Sequence, residues 1–84
     1  MFNQKKFIKM KVIGHFLVVD QVFTDLPETK TALVDIKSIA NISEVKLNEK
    51  DCRKIYFNNC APLSVSNTME EIINTLEDAY TEEY

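Results

Sequence analysis

His15, Cys52 and Cys60 are the side chains whose types could do nucleophilic or metal chemistry. A thiolate or an imidazole can attack a carbonyl, and several together can hold zinc. Their spacing argues against both. No CxxC or HxxxH pair occurs, and His15 is the only histidine. With no second histidine and no serine or cysteine partner in evident reach, a triad cannot be assembled from the sequence. Cys60 falls in a predicted hairpin loop and Cys52 at the far end of the strand before it. At about 3.3 Å per residue that separation exceeds what a disulfide spans. Both are expected to be reduced thiols. No metal ligands, cofactor or catalytic residues are predicted, and the chain is read as a non-enzyme.

Binding chemistry is easier to place. From Met69 onward there are six acids and no bases, whereas residues 1–68 carry ten bases and seven acids. A net charge of −3 thus hides an acidic end and a mildly basic body. Glu77, Asp78, Tyr80, Glu82, Glu83 and Tyr84 combine carboxylates with aromatic rings suited to a protein interface. They are the predicted partner-binding residues. A second set, Arg53, Lys54, Tyr56, Asn58 and Asn59, could grip a nucleotide-like ligand with side chains alone. No Gly-rich phosphate loop accompanies it. Lys5, Lys6, Lys9 and Lys11, near Phe2 and Phe7, form a basic edge. That is too little positive charge, on an acidic chain, to predict nucleic-acid binding.

The elements that must position these residues follow from periodicity. Thr68-Met-Glu-Glu71 reads as a capping box, with two acids suited to the positive end of a helix. Met69, Ile72, Ile73, Leu76 and Tyr80 then recur at helical spacing as one apolar stripe. An isolated helix of this length is marginal, so the stripe must pack on sheet. Before it, Ile55 and Phe57 alternate with polar residues, as do Leu63 and Val65. A three-residue loop, Asn58-Asn59-Cys60, pairs Ile55 with Leu63 and Arg53 with Val65, which puts all four apolar residues on one face. Such a loop calls for one positive φ, which asparagine tolerates. Pro62 places the start of the second strand at a sheet edge or at a position that donates no ladder bond.

Upstream, Lys6–Ile13 and Phe16–Phe23 read as strands joined by a Gly14-His15 turn. Ile13 then faces Phe16, Val12 and Met10 face Leu17 and Val19, and Lys9 faces Asp20. Phe16-Leu-Val-Val is apolar on both faces, so this strand is expected to be buried on both sides or to meet another chain. Residues 24–30 form a polar loop around Pro27. Thr31–Asp35 is a strand, Ile36–Ser38 a bend or short turn, Ile39–Leu47 another strand, and 48–51 a polar turn. The predicted fold is α+β: a small antiparallel sheet of five to six short strands with one C-terminal helix packed on it.

The chain of 84 residues reads as one domain, 1–84, of a size that is often helped by disulfides, metal or self-association. No apolar run has transmembrane length, and the N-terminus lacks a signal-peptide pattern. A cytoplasmic protein is expected, so Asn41-Ile-Ser43 would go unglycosylated. Because one helix covers one sheet face, the apolar Phe16–Val19 run predicts a homo-oligomer joined through sheet faces or edges.

Three stretches carry a family resemblance. Phe7-Ile-Lys-Met-Lys-Val-Ile, Ala32-Leu-Val-Asp-Ile-Lys-Ser-Ile-Ala-Asn-Ile, and Lys54-Ile-Tyr-Phe-Asn-Asn-Cys followed by Leu63-Ser-Val and Ser66-Asn-Thr-Met-Glu-Glu-Ile-Ile resemble, in order, segments of the FlbD-like flagellar or swarming-motility proteins. LytTR-type domains share the strand, Asn-rich turn and capped helix. Cys60 departs from the family's Asn-Gly turn, and residues 20–30 look like an insertion. The resemblance implies a non-enzymatic regulatory role with no catalytic residues to carry over. Together with the Lys-, Asn- and Ile-rich composition, it leads to the expectation of a small bacterial or phage regulator or inhibitor that binds a larger protein. The alternative is an oligomer that captures a small, nucleotide-like ligand.

Overall fold

The computed structural model describes residues 10–81. They form six antiparallel strands and one helix: β1 (Val12–Ile13), β2 (Phe16–Gln21), β3 (Lys30–Asp35), β4 (Ile39–Leu47), β5 (Lys50–Phe57), β6 (Leu63–Val65) and α1 (Met69–Thr81). A 3-10 turn at Ile36–Ser38 carries the chain from β3 to β4, where a bend or short turn was predicted. The fold is the predicted α+β arrangement, an open antiparallel sheet with a single C-terminal helix.

Across the sheet the strands run β4, β5, β6, β2, β3, so β4 and β3 are its edges among the described residues. β1 and β6 share the other side of β2. β1 pairs with Phe16 and Leu17, and β6 with Gln21. Between them the Asp20 N–H would have no strand to bond. It donates instead to Asn67 Oδ1 at 2.8 Å, so a side chain stands in for missing ladder.

The predicted register of the first hairpin is observed: Val12 pairs with Leu17 and Ile13 with Phe16, around Gly14 at φ 62. β1 covers Val12–Ile13, and Val18 N still donates to Lys11 O at 3.0 Å; residues 6–9 of the expected strand lie outside the described residues. The Met10 N–H, which faces away from β2 in this ladder phase, donates to Thr75 Oγ1 of the helix at 2.7 Å. The expected Lys9–Asp20 pair lies outside the described residues. β5 and β6 pair as predicted, Arg53 with Val65 and Ile55 with Leu63. The strands stop at Phe57 and resume at Leu63, so the connection is longer than predicted and Pro62 lies outside the ladder. β6 is an interior strand, which settles the two alternatives for Pro62 in favour of a non-donating position.

The positive φ expected near Asn58 occurs elsewhere. Asn48 (φ 55) and Glu49 (φ 67) hold the β4–β5 turn, and no non-glycine residue of the 58–62 connection has a positive φ. A two-residue hairpin turn between right-twisted strands needs a positive φ at its first central residue, as at Gly14, or at both, as at Asn48 and Glu49, whereas a longer connection does not.

The capping box forms as read. Thr68 N donates to Glu71 Oε1 at 2.8 Å, and Glu71 N donates to Thr68 Oγ1 at 3.1 Å. The buried stripe is rotated from the predicted one. Ile72 is buried and Leu76 and Ala79 pack against the core, but Ile73 is exposed and Thr75 is buried. Thr75 tolerates burial because its hydroxyl donates to Glu71 O at 2.6 Å and accepts from Met10 N. The core is Leu17, Val19, Val34, Ile36, Ile55, Val65 and Ile72, all on the helix side of the sheet.

Candidate functional site

Alternation fixes what lies on the other face. Leu17 and Val19 point to the helix, so Phe16, Val18 and Asp20 point away from it. Ile13 lies opposite Phe16, and Leu33 lies opposite Val18. These four apolar residues are therefore contiguous on the helix-free face. Leu33 is 55% exposed, Ile13 51% and Phe16 39%. The predicted second cover for this strand is not supplied by any described residue.

The remainder of that face is treated differently. The connection 22–29 folds over its β4–β5 side, held by an Asn48 Nδ2 to Thr24 O hydrogen bond of 2.9 Å. Val22, Phe23, Pro27, Leu47 and Lys50 wall a cleft of about 300 Å³ there. An adjoining cleft of about 170 Å³ reaches Cys52, which is buried beside Leu47 and Ser66. Cys52 and the exposed Cys60 are both free thiols.

At the rim of the apolar patch, tertiary structure brings together residues that the sequence left apart. His15 stacks on Phe16 with ring centroids 4.8 Å apart, and its Nδ1 lies 3.2 Å from Asp35 Oδ1. Lys37 N donates to the same oxygen, and Ser38 Oγ donates to Asp35 Oδ2 at 3.3 Å. The Lys37 N–H, then His15 and Ser38, hold the Asp35 carboxyl below its usual range. These are the residue types of a triad, but with the wrong connectivity. The carboxylate sits between the serine and the imidazole, so the histidine does not take the serine's proton. Asp35 works here as the cap of the 3-10 turn. The signal for this cluster was present as Asp35-Ile-Lys-Ser38, an Asx-type cap. Its meeting with His15 depends on β2–β3 register.

The predicted ligand-binding residues do not share a surface. Arg53 points to the helix side with Ile55 and Val65, and Lys54 and Tyr56 point away. Arg53 is only 8% exposed. Its Nη1 donates to Glu44 Oε1 at 3.0 Å and its Nη2 to Ser66 O at 3.2 Å, while Nε has no partner among the described residues. This fork ties β4 to the segment leading into α1. Lys54 Nζ stands 6.0 Å from the Tyr56 ring centroid, and Asn58 and Asn59 are exposed in the β5–β6 connection. Of the predicted partner-binding residues, Glu77 is exposed and Asp78 half-buried, both on α1. Tyr80 belongs to the last turn of α1, and Glu82, Glu83 and Tyr84 lie outside the described residues.

No group of histidine, cysteine and acidic side chains among the described residues could hold a metal ion. No helix among them is long and apolar enough to cross a membrane. Comparison with family models, with curated proteins and with solved structures gave no match.

Proposed function

We propose that this chain is a non-enzymatic interaction module, a cytoplasmic regulator or inhibitor of bacterial or phage origin that binds a larger protein. The observation that carries this reading is the apolar patch of Ile13, Phe16, Val18 and Leu33. A chain of this size has little apolar surface to spare, and large exposed apolar side chains gathered on one face mark contact surfaces. The acidic side chains of α1 and the tail, Glu77, Asp78, Glu82 and Glu83 with Tyr80 and Tyr84, supply a second, charged contact area. The resemblance to FlbD-like proteins supports the same class of role.

The test is capture of the partner from the native host, read by native mass spectrometry. A one-to-one or two-to-two complex with a larger protein is the expected result. Phe16→Asp should abolish it. The fourfold change of Glu77, Asp78, Glu82 and Glu83 to Gln should weaken it, most visibly at low salt. Binding that survives both sets of changes would refute this assignment of the surface.

A second reading, small-ligand binding, is favoured by the cleft of about 300 Å³ beneath the 22–29 connection, which is at the lower end of ligand-pocket sizes. A bound small mass, and a rise in melting temperature on adding it back, would favour that reading over protein binding.

A further inference from the structure

The two edges of the sheet differ in how they are protected. β4 is bulged where Ile39 and Asn41 straddle Ala40, and it carries the charged Glu44 and Lys46. Bulges and charges of this kind discourage another strand from pairing. β3 carries charges only at its two ends, Lys30 and Asp35. Its body is Thr31-Ala-Leu-Val34, without proline, bulge or charge.

Register shows which groups β3 leaves open. Ile36 N donates to His15 O, and Val34, Ala32 and Lys30 stand opposite Leu17, Val19 and Gln21 in the same phase of the ladder. The even-numbered residues of β3 therefore bond to β2. Thr31 and Leu33 direct both their backbone N–H and C=O groups outward, and Asp35 directs its N–H outward, while the Asp35 C=O caps the 3-10 turn. No strand partner for these outward groups occurs among the described residues.

We propose that β3 pairs antiparallel with β3 of a second copy, with Leu33 on the two-fold axis. A two-fold axis normal to a continuous sheet keeps each face on its own side, so a residue of β3 must pair with one of the same parity. Centring on Leu33 is the register that uses the whole strand. Leu33 then pairs with its own copy, and Thr31 with Asp35 of the other copy at each end. All three are closely bonded positions: Leu33 exchanges two backbone hydrogen bonds with its own copy, and at each end the Asp35 N–H donates to the Thr31 C=O of the other copy. Shifting the centre to Ala32 or Val34 leaves one outward residue of each copy with no strand residue opposite. Side chains agree with the central register. The Thr31 hydroxyl faces the carboxylate of Asp35, and leucine faces leucine. Both helices fall on one side of the joined sheet. On the other side the two patches of Ile13, Phe16, Val18 and Leu33 merge into one apolar surface with Leu33 at its centre. This pairing does not require the partner-binding reading above; if both hold, the larger protein meets a doubled patch.

The test uses the full chain. Sedimentation over a range of concentrations should show a monomer–dimer equilibrium. Leu33→Lys places like charges on the axis, at an exposed side chain, and should weaken the dimer at least about tenfold. Leu33→Pro removes an outward N–H and no bond to β2, and should abolish the dimer. Circular dichroism checks that both variants keep the fold. Register is read by cysteine cross-linking in a Cys60→Ser background. Leu33→Cys should form a disulfide between copies, because a bonded antiparallel pair is within reach. Thr31→Cys should not, because its own copy lies several residues away along the strand. A chain that stays monomeric at all concentrations overturns the proposal. So does a dimer unaffected by either Leu33 change but lost in Phe16→Asp, which would mean face-to-face packing. Cross-linking as fast at position 31 as at 33 overturns the register.

Discussion

Phe16 and Leu17 are neighbours in the chain, both large and apolar, yet Leu17 is fully buried while Phe16 keeps much of its surface in water. The same split runs across the sheet. On one face α1 lays Ile72 and Leu76 over Leu17, Val19, Val34, Ile55 and Val65. On the other, the 22–29 connection covers Cys52 and Leu47 but stops short of Ile13, Phe16 and Leu33. One short helix cannot seal both faces of a six-stranded sheet. Among the described residues the main core lies on one face, and on the other Ile13, Phe16 and Leu33 stay exposed.

The largest test of that division compares two leucines. Leu17→Ala opens a cavity in a packed core and should cost about 2–5 kcal/mol of unfolding free energy. Leu33→Ala should cost within about 0.5 kcal/mol in the monomer. Urea denaturation of the two variants at low concentration reads the difference, and equal losses would break the comparison.

Next are polar groups beneath the helix. Thr75→Val removes the acceptor for the Met10 N–H and should cost about 1–3 kcal/mol. The change is nearly isosteric, so a loss in thermal melts reports the hydrogen bond rather than volume.

Ion pairs on the same face should separate by burial. Glu44→Ala leaves the Arg53 guanidinium, enclosed on the helix side, without its carboxylate, and should cost about 1–2 kcal/mol. Lys46→Ala breaks the exposed Lys46–Asp51 pair of 2.8 Å, which solvent screens, and should cost less than Glu44→Ala does.

The smallest effect is with pH. The Lys37 N–H holds Asp35 below the ordinary aspartate value of 3.8, and Lys46 does the same for Asp51. A carboxyl with a depressed folded-state value contributes its stability fully above 3.8, and loses it as pH falls through the folded value. The urea midpoint should therefore drop on acidification below that point. Asp35→Asn and Asp51→Asn should each flatten the drop, one acting on each face.

Parts of this fold are legible residue by residue. The Thr68–Glu71 capping box involves groups three residues apart. The Gly14-His15 turn and the pairing of Ile55 with Leu63 follow from local turn chemistry and alternation. The candidate surface was half legible. The Phe16–Val19 run indicated that a single helix leaves apolar groups over, but not that Ile13 and Leu33 would join them. The predicted ligand set of Arg53, Lys54, Tyr56, Asn58 and Asn59 looked compact only because its members are close in sequence. Strand alternation turns Arg53 and Lys54 to opposite faces.

From the sequence alone come the element types, the bend at Ile36–Ser38, the two hairpin registers and the helix start, because each depends on groups within a few residues or on a period of two or 3.6. Tertiary structure alone decided that β6 lies between β5 and β2, that Asn67 fills the gap beside Asp20, that Thr75 rather than Ile73 faces inward, and that His15 meets Asp35. These outcomes depend on which distant segments pair. Alternation says that a strand has an apolar face, but its choice of neighbour is set by the packing of the whole sheet against one helix.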